Sequence, residues 1–371
     1  MKLLPKALLT TLFSLAAAGC GEATPDEQPL AIVEEGSGGA QQQLTPIEAD
    51  GKFNFETQEF KGNGRTCLTC HTAATGSLSP AQVQAAWNAN PNGRLFRKID
   101  SDDGTGASYN LLKTHATVNV ELNLPSNIRI AGSSARTVTV RRAVPSTIDM
   151  PKLDTMLMYD GRVRDLQAQA AGAIAGHAQA ERTPKQYELD SLAAYEKTLF
   201  SSDAMRNFAK GLGPMPALPT GTTASEQRGA AFFAPTGLCG SCHGGPLLNT
   251  NQPGNPLGLP AGTQFGTSLA SEANRLNNPV TTYLVRNAQG VEEPVTTADP
   301  GLMLTTGNKN DANLFKMLSL RDLKNTAPYF HDGSAKTVDD IMVQYDFVLT
   351  AFGIPHTAQD LADMKAFMLL L

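Results

Sequence analysis

A chain of 371 residues with a formal net charge of -5 is long enough for two domains with separate cores. No block of basic residues stands out against this acidic balance, which argues against nucleic acid as a partner. The chain has only five cysteines, and their spacing carries most of the functional information.

The first twenty residues, MKLLPKALLTTLFSLAAAGC, are typical of a bacterial export signal. Lys2 and Lys6 flank the start of an apolar run that is too short for a transmembrane helix. The run ends at Cys20 in a sequence that resembles a lipobox, which predicts a signal peptide over residues 1–19 and a lipid on Cys20. The alternative is an ordinary signal peptide with a stray cysteine, but a lone thiol in an oxidising compartment is a liability. We therefore expect a lipoprotein anchored to a membrane on its periplasmic side.

The next stretch, residues 20–54, is predicted to be a flexible tether, because it is rich in Gly, Pro, Gln and acidic residues and has little apolar periodicity. A second shift in composition falls at residues 211–221, GLGPMPALPTG, where Pro and Gly exclude helix and sheet. The folded part is therefore predicted to contain two domains, residues 55–212 and residues 220–371.

The pentapeptide CLTCH at residues 67–71 returns as CGSCH at residues 239–243. Two cysteines and a histidine at this spacing are the attachment signature of c-type haem, in which the sulfurs become thioethers and the histidine ligates the iron. A zinc knuckle or a thioredoxin-like redox pair also uses C-x-x-C. Both alternatives are weaker, because histidine follows each pair at once and no second pair lies nearby to complete a zinc site. The predicted cofactors are two covalent haems, attached through Cys67, Cys70, His71, Cys239, Cys242 and His243.

Local sequence signals predict helices and a pair of strands around these motifs. Ser79 and Pro80 begin a helix, since proline in the first helical position loses no hydrogen bond. Residues 116–140 alternate in polarity as strands do, and predict a small β-hairpin in the first domain. The Ala-rich segment from 165 to 181 predicts a helix, and a capping box from Thr223 to Glu226 predicts another before the second motif. The fold class is therefore mainly α.

Three blocks of sequence resemble the bacterial di-haem cytochrome c peroxidases and their relative MauG. Residues 315–322, FKMLSLRD, and residues 326–333, TAPYFHDG, are similar to the family runs F-K-x-x-S-L-R-N and T-A-P-Y-F-H-D-G. Residues 159–170, YDGRVRDLQAQA, are similar to the family's W-D-G-R…L-x-x-Q-A, and both C-x-x-C-H motifs stand in the expected order. The resemblance covers about residues 55–350 and implies two cytochrome c-like haem domains, the first with the hairpin as an insertion.

The resemblance implies a division of labour between the two haems. The N-terminal haem would bind and reduce hydrogen peroxide, and the C-terminal haem would store or relay an electron. Peroxide reduction takes two electrons, and two irons can share the oxidising equivalents. The expected enzyme is a hydrogen-peroxide-dependent oxidoreductase. The alternatives are a peroxidase that draws electrons from a carrier protein and a non-enzymatic electron carrier in which both haems have six ligands.

The resemblance also implies the sixth ligand of the second haem, through its distance in sequence from the P-Y-F-H-D-G motif. In the peroxidases it is a Met fourteen residues after the His of P-Y-F-H-D-G, and MauG has Tyr there. Counting from His331 leads to Tyr345. A phenolate stabilises oxidised iron, whereas a thioether stabilises ferrous iron, so Tyr345 favours an organic or protein substrate over a simple electron-carrier protein. The alternatives are that Tyr345 only packs over the haem edge, or that Met342, about 60° away around a helix, is the ligand.

The resemblance also implies an acid–base group beside the first haem. In the family this group is a Glu ten residues after the Gln that corresponds to Gln169. That position is Gln179, and an amide cannot transfer the proton. A continuous helix would place Gln169, Ala173 and His177 along one stripe, which makes His177 the candidate replacement. The alternatives are that His177 ligates the first haem or that it is a core or surface histidine.

Three further positions have weaker or supporting assignments. Glu181 is a second candidate for the missing acid and is otherwise a solvated charge at a helix end. His115 precedes the hairpin and is either a sixth ligand of the first haem, as in some family members, or an ordinary loop histidine. Tyr159 stands where the family has a Trp between the haems, and could still carry a transient hole.

The family's interdomain calcium ion is the third cofactor considered. Its backbone ligands match Thr326 and Pro328, whereas its Asn ligand corresponds to Ala143, so the resemblance supports calcium at two of three positions. The expected partners are hydrogen peroxide, an electron-donor protein or a protein or organic substrate, and a membrane through Cys20, with no nucleic acid.

Overall fold

The computed structural model describes residues 43–250, 260, 262–266 and 278–371. The predicted signal peptide, Cys20 and the tether up to residue 42 lie outside the described residues. The described helices are α1 (Pro46–Glu56), α2 (Pro80–Ala89), α3 (Asn110–His115), α4 (Met150–Leu153), α5 (Leu166–Gly176), α6 (Gln186–Glu196), α7 (Asp203–Ala209), α8 (Ala224–Phe232), α9 (Met303–Thr306), α10 (Val338–Ala351) and α11 (Ala358–Met368). The described strands are β1 (Thr117–Asn123), β2 (Ile128–Ile130), β3 (Thr137–Ala143), β4 (Phe265–Gly266), β5 (Thr281–Arg286), β6 (Glu292–Thr297) and β7 (Leu314–Phe315).

Helix α6 is the packing centre of the first half of the chain, since both α1 and α5 lie against it. Phe55 of α1, Ile174 of α5 and Leu192 of α6 share one buried cluster, and Cys67 packs at its edge. Gly51 allows α1 and α6 to cross closely, because a Cβ there would collide with the carbonyl oxygen of Ser191. The first C-x-x-C-H motif therefore lies beside this helix crossing.

The second half repeats this arrangement with α8 and α11. Gly229 of α8 faces the backbone of Asp363, and a Cβ at this glycine would collide with the carbonyl oxygen of that residue. Phe233 and Phe367 pack against each other in the adjoining core, with tilted rings whose centroids are 5.1 Å apart. Cys239 packs against the same core cluster, so each motif sits beside a glycine-mediated helix crossing.

The strand region differs from a simple hairpin. Strands β1 and β3 pair antiparallel from Thr117 opposite Ala143 to Asn123 opposite Thr137. The segment between them contains β2, which leaves this pair and joins β5, so that the second sheet has the order β2–β5–β6. This sheet joins residues from both sides of the 211–221 stretch, and all the described residues belong to one compact unit, Ile32–Leu371. The proposed boundaries of two domains stay a prediction.

Two predicted helix starts are confirmed, and one helix is shorter than predicted. Ser79 caps α2 with Pro80 in its first turn, and Thr223 caps α8 through a capping box. Helix α5 ends at Gly176, with His177 as its C-cap. Gln179 has a φ of 51°, a left-handed backbone conformation that cannot continue a helix. The helix therefore stops five residues before its predicted end.

A buried ion network joins three segments that are distant in sequence. Arg142 of β3 donates to Asp160 at 2.7 Å and to both carboxylate oxygens of Asp299 at 2.8 and 2.9 Å. These three side chains are at most 3% exposed. A charge buried this deeply is tolerated only when it is paired, so the network fixes β3 against the turn before α5 and the segment after β6.

Within the described ranges, no helix is both long enough and apolar enough to cross a membrane.

The helix crossing at Gly229 is testable by substitution. Gly229→Ala should lower the free energy of unfolding by about 1–3 kcal/mol, the usual cost of overpacking, because its methyl would meet backbone that cannot move aside. Gly172→Ala is the matched control, since a Cβ on this glycine of α5 meets nothing within 4 Å. We expect that change to be neutral or to stabilise by about 0.5–1 kcal/mol. Equal effects of the two changes, measured by denaturant unfolding, would contradict the crossing.

Candidate active site

The first C-x-x-C-H motif opens onto a deep cavity. The cavity has an empty volume of about 1090 Å³ including the solvent at its mouth, and Cys67, Cys70 and His71 line it. Most of the remaining wall is apolar, with Val118 and Ile174 among its side chains. A large apolar cavity with a few placed polar groups is the usual form of a cofactor site, and it suits the flat, apolar ring of a haem.

His71 is held in the tautomer that a metal ligand needs. Its Nδ1–H donates to the carbonyl oxygen of Gly76 at 2.8 Å, which leaves the lone pair of Nε2 for a metal. Burial lowers the pKa of His71, and the nearby charge of His177 lowers it further despite the bond to Gly76. A neutral imidazole oriented by its second nitrogen is the form in which histidine binds metal.

His243 of the second motif has the same arrangement. Its Nδ1–H donates to the carbonyl oxygen of Leu248 at 3.0 Å, and burial lowers its pKa. In both motifs the acceptor is the carbonyl five residues after the histidine. The two histidines are thus prepared in the same way, and both fit an iron ligand.

His71 and His243 differ in the group that lies opposite their Nε2 atoms. Nε2 of His243 is 3.1 Å from the hydroxyl oxygen of Tyr345 on α10. Both atoms therefore point into the space toward which His243 would direct an iron. Met342 is 8% exposed in the core cluster of the same helix. Tyr345 rather than Met342 makes the contact with His243.

The cysteines do not resemble a redox pair or a zinc site. The described cysteines form no disulfide, and burial raises the pKa of Cys70 to about 11 and that of Cys239 to about 12. Reactive dithiols have a lowered pKa instead. In the described part of the chain, no group of three or more His, Cys, Asp or Glu side chains could hold a metal ion. The cysteines fit attachment of a cofactor better than either alternative.

The structure brings His177, Gln169 and Ala173 into the first cavity together. Burial lowers the pKa of His177, and Arg65 and Arg162 lower it further against the opposing effect of Asp100. His177 and His71 are close enough for their charges to interact. An imidazole that is neutral near physiological pH can accept a proton at the cavity wall.

The other candidates from the sequence lie elsewhere. Gln179 and Glu181 are exposed and do not line the cavity. His115 ends α3, where its Nδ1 is 2.8 Å from the hydroxyl of Thr114. None of these three side chains belongs to the cavity wall.

Tyr159 lines the first cavity and is 5% exposed. Its ring centroid is 6.4 Å from that of His331, which stacks on Phe315 at 3.7 Å. The carbonyl oxygen of His331 accepts from the backbone N–H of Ala143, another residue of the cavity wall. Phe330, the residue before His331, packs against the same core cluster as Cys239 and Tyr345. One short segment therefore connects the surroundings of the two motifs.

Sequence reasoning missed one functional candidate, Glu196. This last residue of α6 is 5% exposed and lines the first cavity. Burial raises its pKa to about 8 against the opposing effect of Lys197. No motif contains it, and the only signal in the sequence would have been an acid at a position that faces inward on an amphipathic helix.

The calcium positions give no clear ion site. The hydroxyl of Thr326 donates to the carbonyl oxygen of Leu323 at 3.2 Å. Ala143 lies in β3 and supplies no side-chain oxygen. Calcium binding stays a prediction from the resemblance.

Comparisons with known proteins find no family model that matches. The chain is 28% identical over 304 residues to the cytochrome-c peroxidase IdrP1 of Pseudomonas sp. (strain SCT). This alignment covers 80% of this chain and 70% of that protein. It is 31% identical over 211 residues to the cytochrome c551 peroxidase of Nitrosomonas europaea, covering 49% and 51% of the two chains. These likenesses support assignment of the chain to the bacterial di-haem cytochrome c peroxidase/MauG family.

The peroxidase names of these relatives support a peroxide-dependent oxidoreductase, and this family implies haem cofactors. The fold agrees with a solved structure described as a MauG-like protein associated with microbial copper homeostasis. That comparison has a TM-score of 0.51 and 18% identity, and covers 90% of each chain. At this identity the likeness concerns the fold alone. The mainly helical architecture of the peroxidase family is therefore present in this chain.

The ion network in the wall of the first cavity is testable by removing its cation. Arg142→Met should lower the free energy of unfolding by about 3–5 kcal/mol, because it leaves buried carboxylates unpaired. Arg129→Met is the control, since Arg129 pairs with Glu292 on the exposed surface and its loss should be near the limit of detection. Chemical denaturation of both variants measures this, and a Met variant at position 142 as stable as the wild type would contradict the network.

The contribution of the Arg142–Asp299 ion pair to stability should depend on pH. Burial alone would raise the pKa of Asp299, but Arg142 outweighs this effect and the pKa is lowered. A carboxylate with a lowered pKa contributes stability above its unfolded pKa and loses it as the pH falls through its folded pKa. The stability difference between wild type and Arg142→Met should therefore shrink in acid.

Proposed function

We propose that this protein activates hydrogen peroxide at a haem in the first cavity and shares the oxidising equivalents with a haem at the second motif. The oxidised protein then acts on an organic or protein substrate, as in a MauG-like enzyme. The proposal depends on one observation, the asymmetry between the motifs. His71 faces an open cavity that holds titratable side chains, whereas His243 faces Tyr345.

Each haem would be held by its own motif. Cys67 and Cys70 would form the thioethers of the first haem, with His71 as its iron ligand. Cys239, Cys242 and His243 would do the same for the second. When bound, the first haem supplies the iron that accepts peroxide and the electrons that break its O–O bond.

His177 would manage the proton in this reaction. Breaking the O–O bond heterolytically requires a proton to move from the oxygen nearest the iron to the leaving oxygen. His177 stands on the cavity wall as a neutral imidazole, so Nδ1 or Nε2 can accept that proton and return it. Gln169, on the same wall, can orient peroxide through its amide but cannot transfer a proton.

Tyr345 supports the assignment of the second haem as a store of oxidising equivalents. As a phenolate it would be a hard, anionic ligand that stabilises oxidised iron. Burial raises the pKa of Tyr345 in the protein without metal, and the charge of a bound cation would reverse this effect. Tyr159, between the cavity and His331, would relay electrons between the two sites.

A peroxidase that draws electrons from a carrier protein is the second candidate, and the names of the relatives favour it. The two candidates differ in the reductant that returns the peroxide-treated protein to its resting state. A non-enzymatic carrier would instead show two low-spin haems that do not react with peroxide.

Export and anchoring are proposed from the sequence alone. The leader and Cys20 predict a periplasmic lipoprotein, and stable anchoring requires more than one acyl chain. Cys20→Ser should release the protein from membranes or block its processing.

The role of His177 is tested by one substitution. His177→Gln should slow the reaction with peroxide by about 10²–10⁴-fold, the usual contribution of a general acid–base group, with unchanged haem content. His115→Gln is the control, because His115 lies outside the cavity wall. Stopped-flow absorption measures the rate. If His177 is instead a sixth ligand, its loss should convert the first haem to high spin and accelerate the reaction, which would contradict the proton-transfer role.

The role of Tyr345 is tested through the potential of the second haem. Tyr345→Met replaces a hard anionic ligand by a soft neutral one, so the ferric/ferrous midpoint potential should rise. Tyr329→Phe is the control, since Tyr329 packs in the same cluster but its hydroxyl bonds to the carbonyl oxygen of Leu323 at 2.9 Å. Redox titration followed by absorption and EPR measures both. An unchanged potential and spectrum in Tyr345→Met would show that Tyr345 is not a ligand.

A further inference from the structure

Glu196 is a buried acid in the first cavity that the proposed peroxide chemistry does not use. Its side chain is 5% exposed and it lines the cavity beside Cys67. Burial raises the pKa of the Cys67 thiol, and the charge of Glu196 is close enough to raise this pKa further. A carboxylate in such a place requires either a partner or a proton.

No partner is present in the described part of the chain. Among the described residues, no hydrogen-bond donor and no cation contacts the Glu196 carboxylate. Lys197, the next residue in the chain, is exposed to solvent. The three arginines of the cavity wall are already paired with other carboxylates. These pairs are Arg65 with Asp100, Arg142 with Asp160 and Asp299, and Arg162 with Asp160.

The elements packed against α6 do not neutralise Glu196 either. In α1, Lys52 pairs with Glu56, Asp50 accepts from the hydroxyl of Tyr187, and Glu48 caps its own helix. Lys152 of α4 is exposed, and α5 ends at His177 across the cavity. The first motif adds only Cys67, Cys70 and His71. Glu196 is therefore a buried acid whose charge state nothing nearby fixes.

We propose that Glu196 couples one proton to the redox state of the first haem. The proposal rests on the proposed haem in this cavity. When a one-electron donor reduces ferric to ferrous iron, the Glu196 carboxylate takes up one proton from water, and the charge of the pocket stays constant. On reoxidation the electron leaves and the carboxyl returns its proton to water.

The coupling follows from electrostatics. Loss of one positive charge from the iron weakens the attraction that favours the carboxylate, and burial disfavours the charged form further. Burial already raises the pKa of Glu196 to about 8 in the protein without haem, so modest changes of nearby charge move its titration across the neutral range. Two protons are consumed for each peroxide reduced to water, and a proton store beside the haem matches this demand.

The test is the pH dependence of the midpoint potential of the first haem in the purified holoprotein. Spectroelectrochemical titration between about pH 5 and pH 9 should show the wild-type potential falling as pH rises, with a slope approaching about 59 mV per tenfold change in proton activity. In Glu196→Gln, which keeps the shape and loses the titration, this dependence should be lost. An equal slope in Glu196→Gln and in the wild type would overturn the proposal.

Two further variants keep the test decisive. Glu196→Asp retains a carboxyl and should retain the slope. Glu56→Gln removes an acid of α1 that does not line the cavity, and should also retain the slope. A lost slope in Glu56→Gln together with a retained slope in Glu196→Gln would assign the proton elsewhere and overturn the proposal.

A measurement on the wild type alone covers the case in which the Gln variant does not fold. The reduced-minus-oxidised infrared difference spectrum should contain a protonated-carboxyl band that shifts in D₂O, and its absence would overturn the proposal. Haem content and peroxide reactivity are measured on the same samples. A protein that holds two haems and reacts with peroxide but shows no such band refutes only the role of Glu196, whereas a missing first haem refutes the proposed function itself.

Discussion

The buried charge of Arg142 constrains the architecture more than any other single group. Its guanidinium is at most 3% exposed and is neutralised by Asp160 and Asp299, which come from distant parts of the sequence. An unpaired guanidinium at this depth would be very unfavourable, so the three segments that carry these side chains are held together. Arg142 and Tyr159 both line the first cavity, and the network therefore also fixes one wall of the candidate active site.

This constraint lies beside the segment that links the two motifs. The carbonyl oxygen of His331 accepts from the backbone N–H of Ala143, the residue after Arg142, and Phe330 packs against the same core cluster as Tyr345. His71 and His243 each donate from Nδ1–H to a backbone carbonyl, yet His71 faces a cavity and His243 faces Tyr345. The two C-x-x-C-H motifs are similar in sequence, and the neighbouring helices give them different surroundings. Helix α5 leaves space above His71, whereas α10 brings Tyr345 to His243.

Several features were predictable because they depend on neighbours in sequence. The caps of α2 and α8 require only a Ser or Thr and its following turn, and the stripe of Gln169, Ala173 and His177 requires only helical spacing. The end of α5 was not predictable, because a left-handed residue at Gln179 follows from how the chain turns back toward Asn63, whose side chain bonds to the carbonyl oxygen of His177. The path of β2 was missed for the same reason, since its partner β5 is more than 150 residues away.

The sequence by itself determined the two C-x-x-C-H motifs, the family resemblance and the register that predicts Tyr345 as a ligand, because each depends on residue type at short spacing. Only the tertiary structure decided which side chains share the first cavity. Glu196 stands far from either motif, and an acid on a helix usually faces water. It becomes a buried acid only because α6 crosses α1 at Gly51 and turns its last residue inward beside Cys67. Burial and proximity arise from packing between distant segments, and no local pattern encodes them.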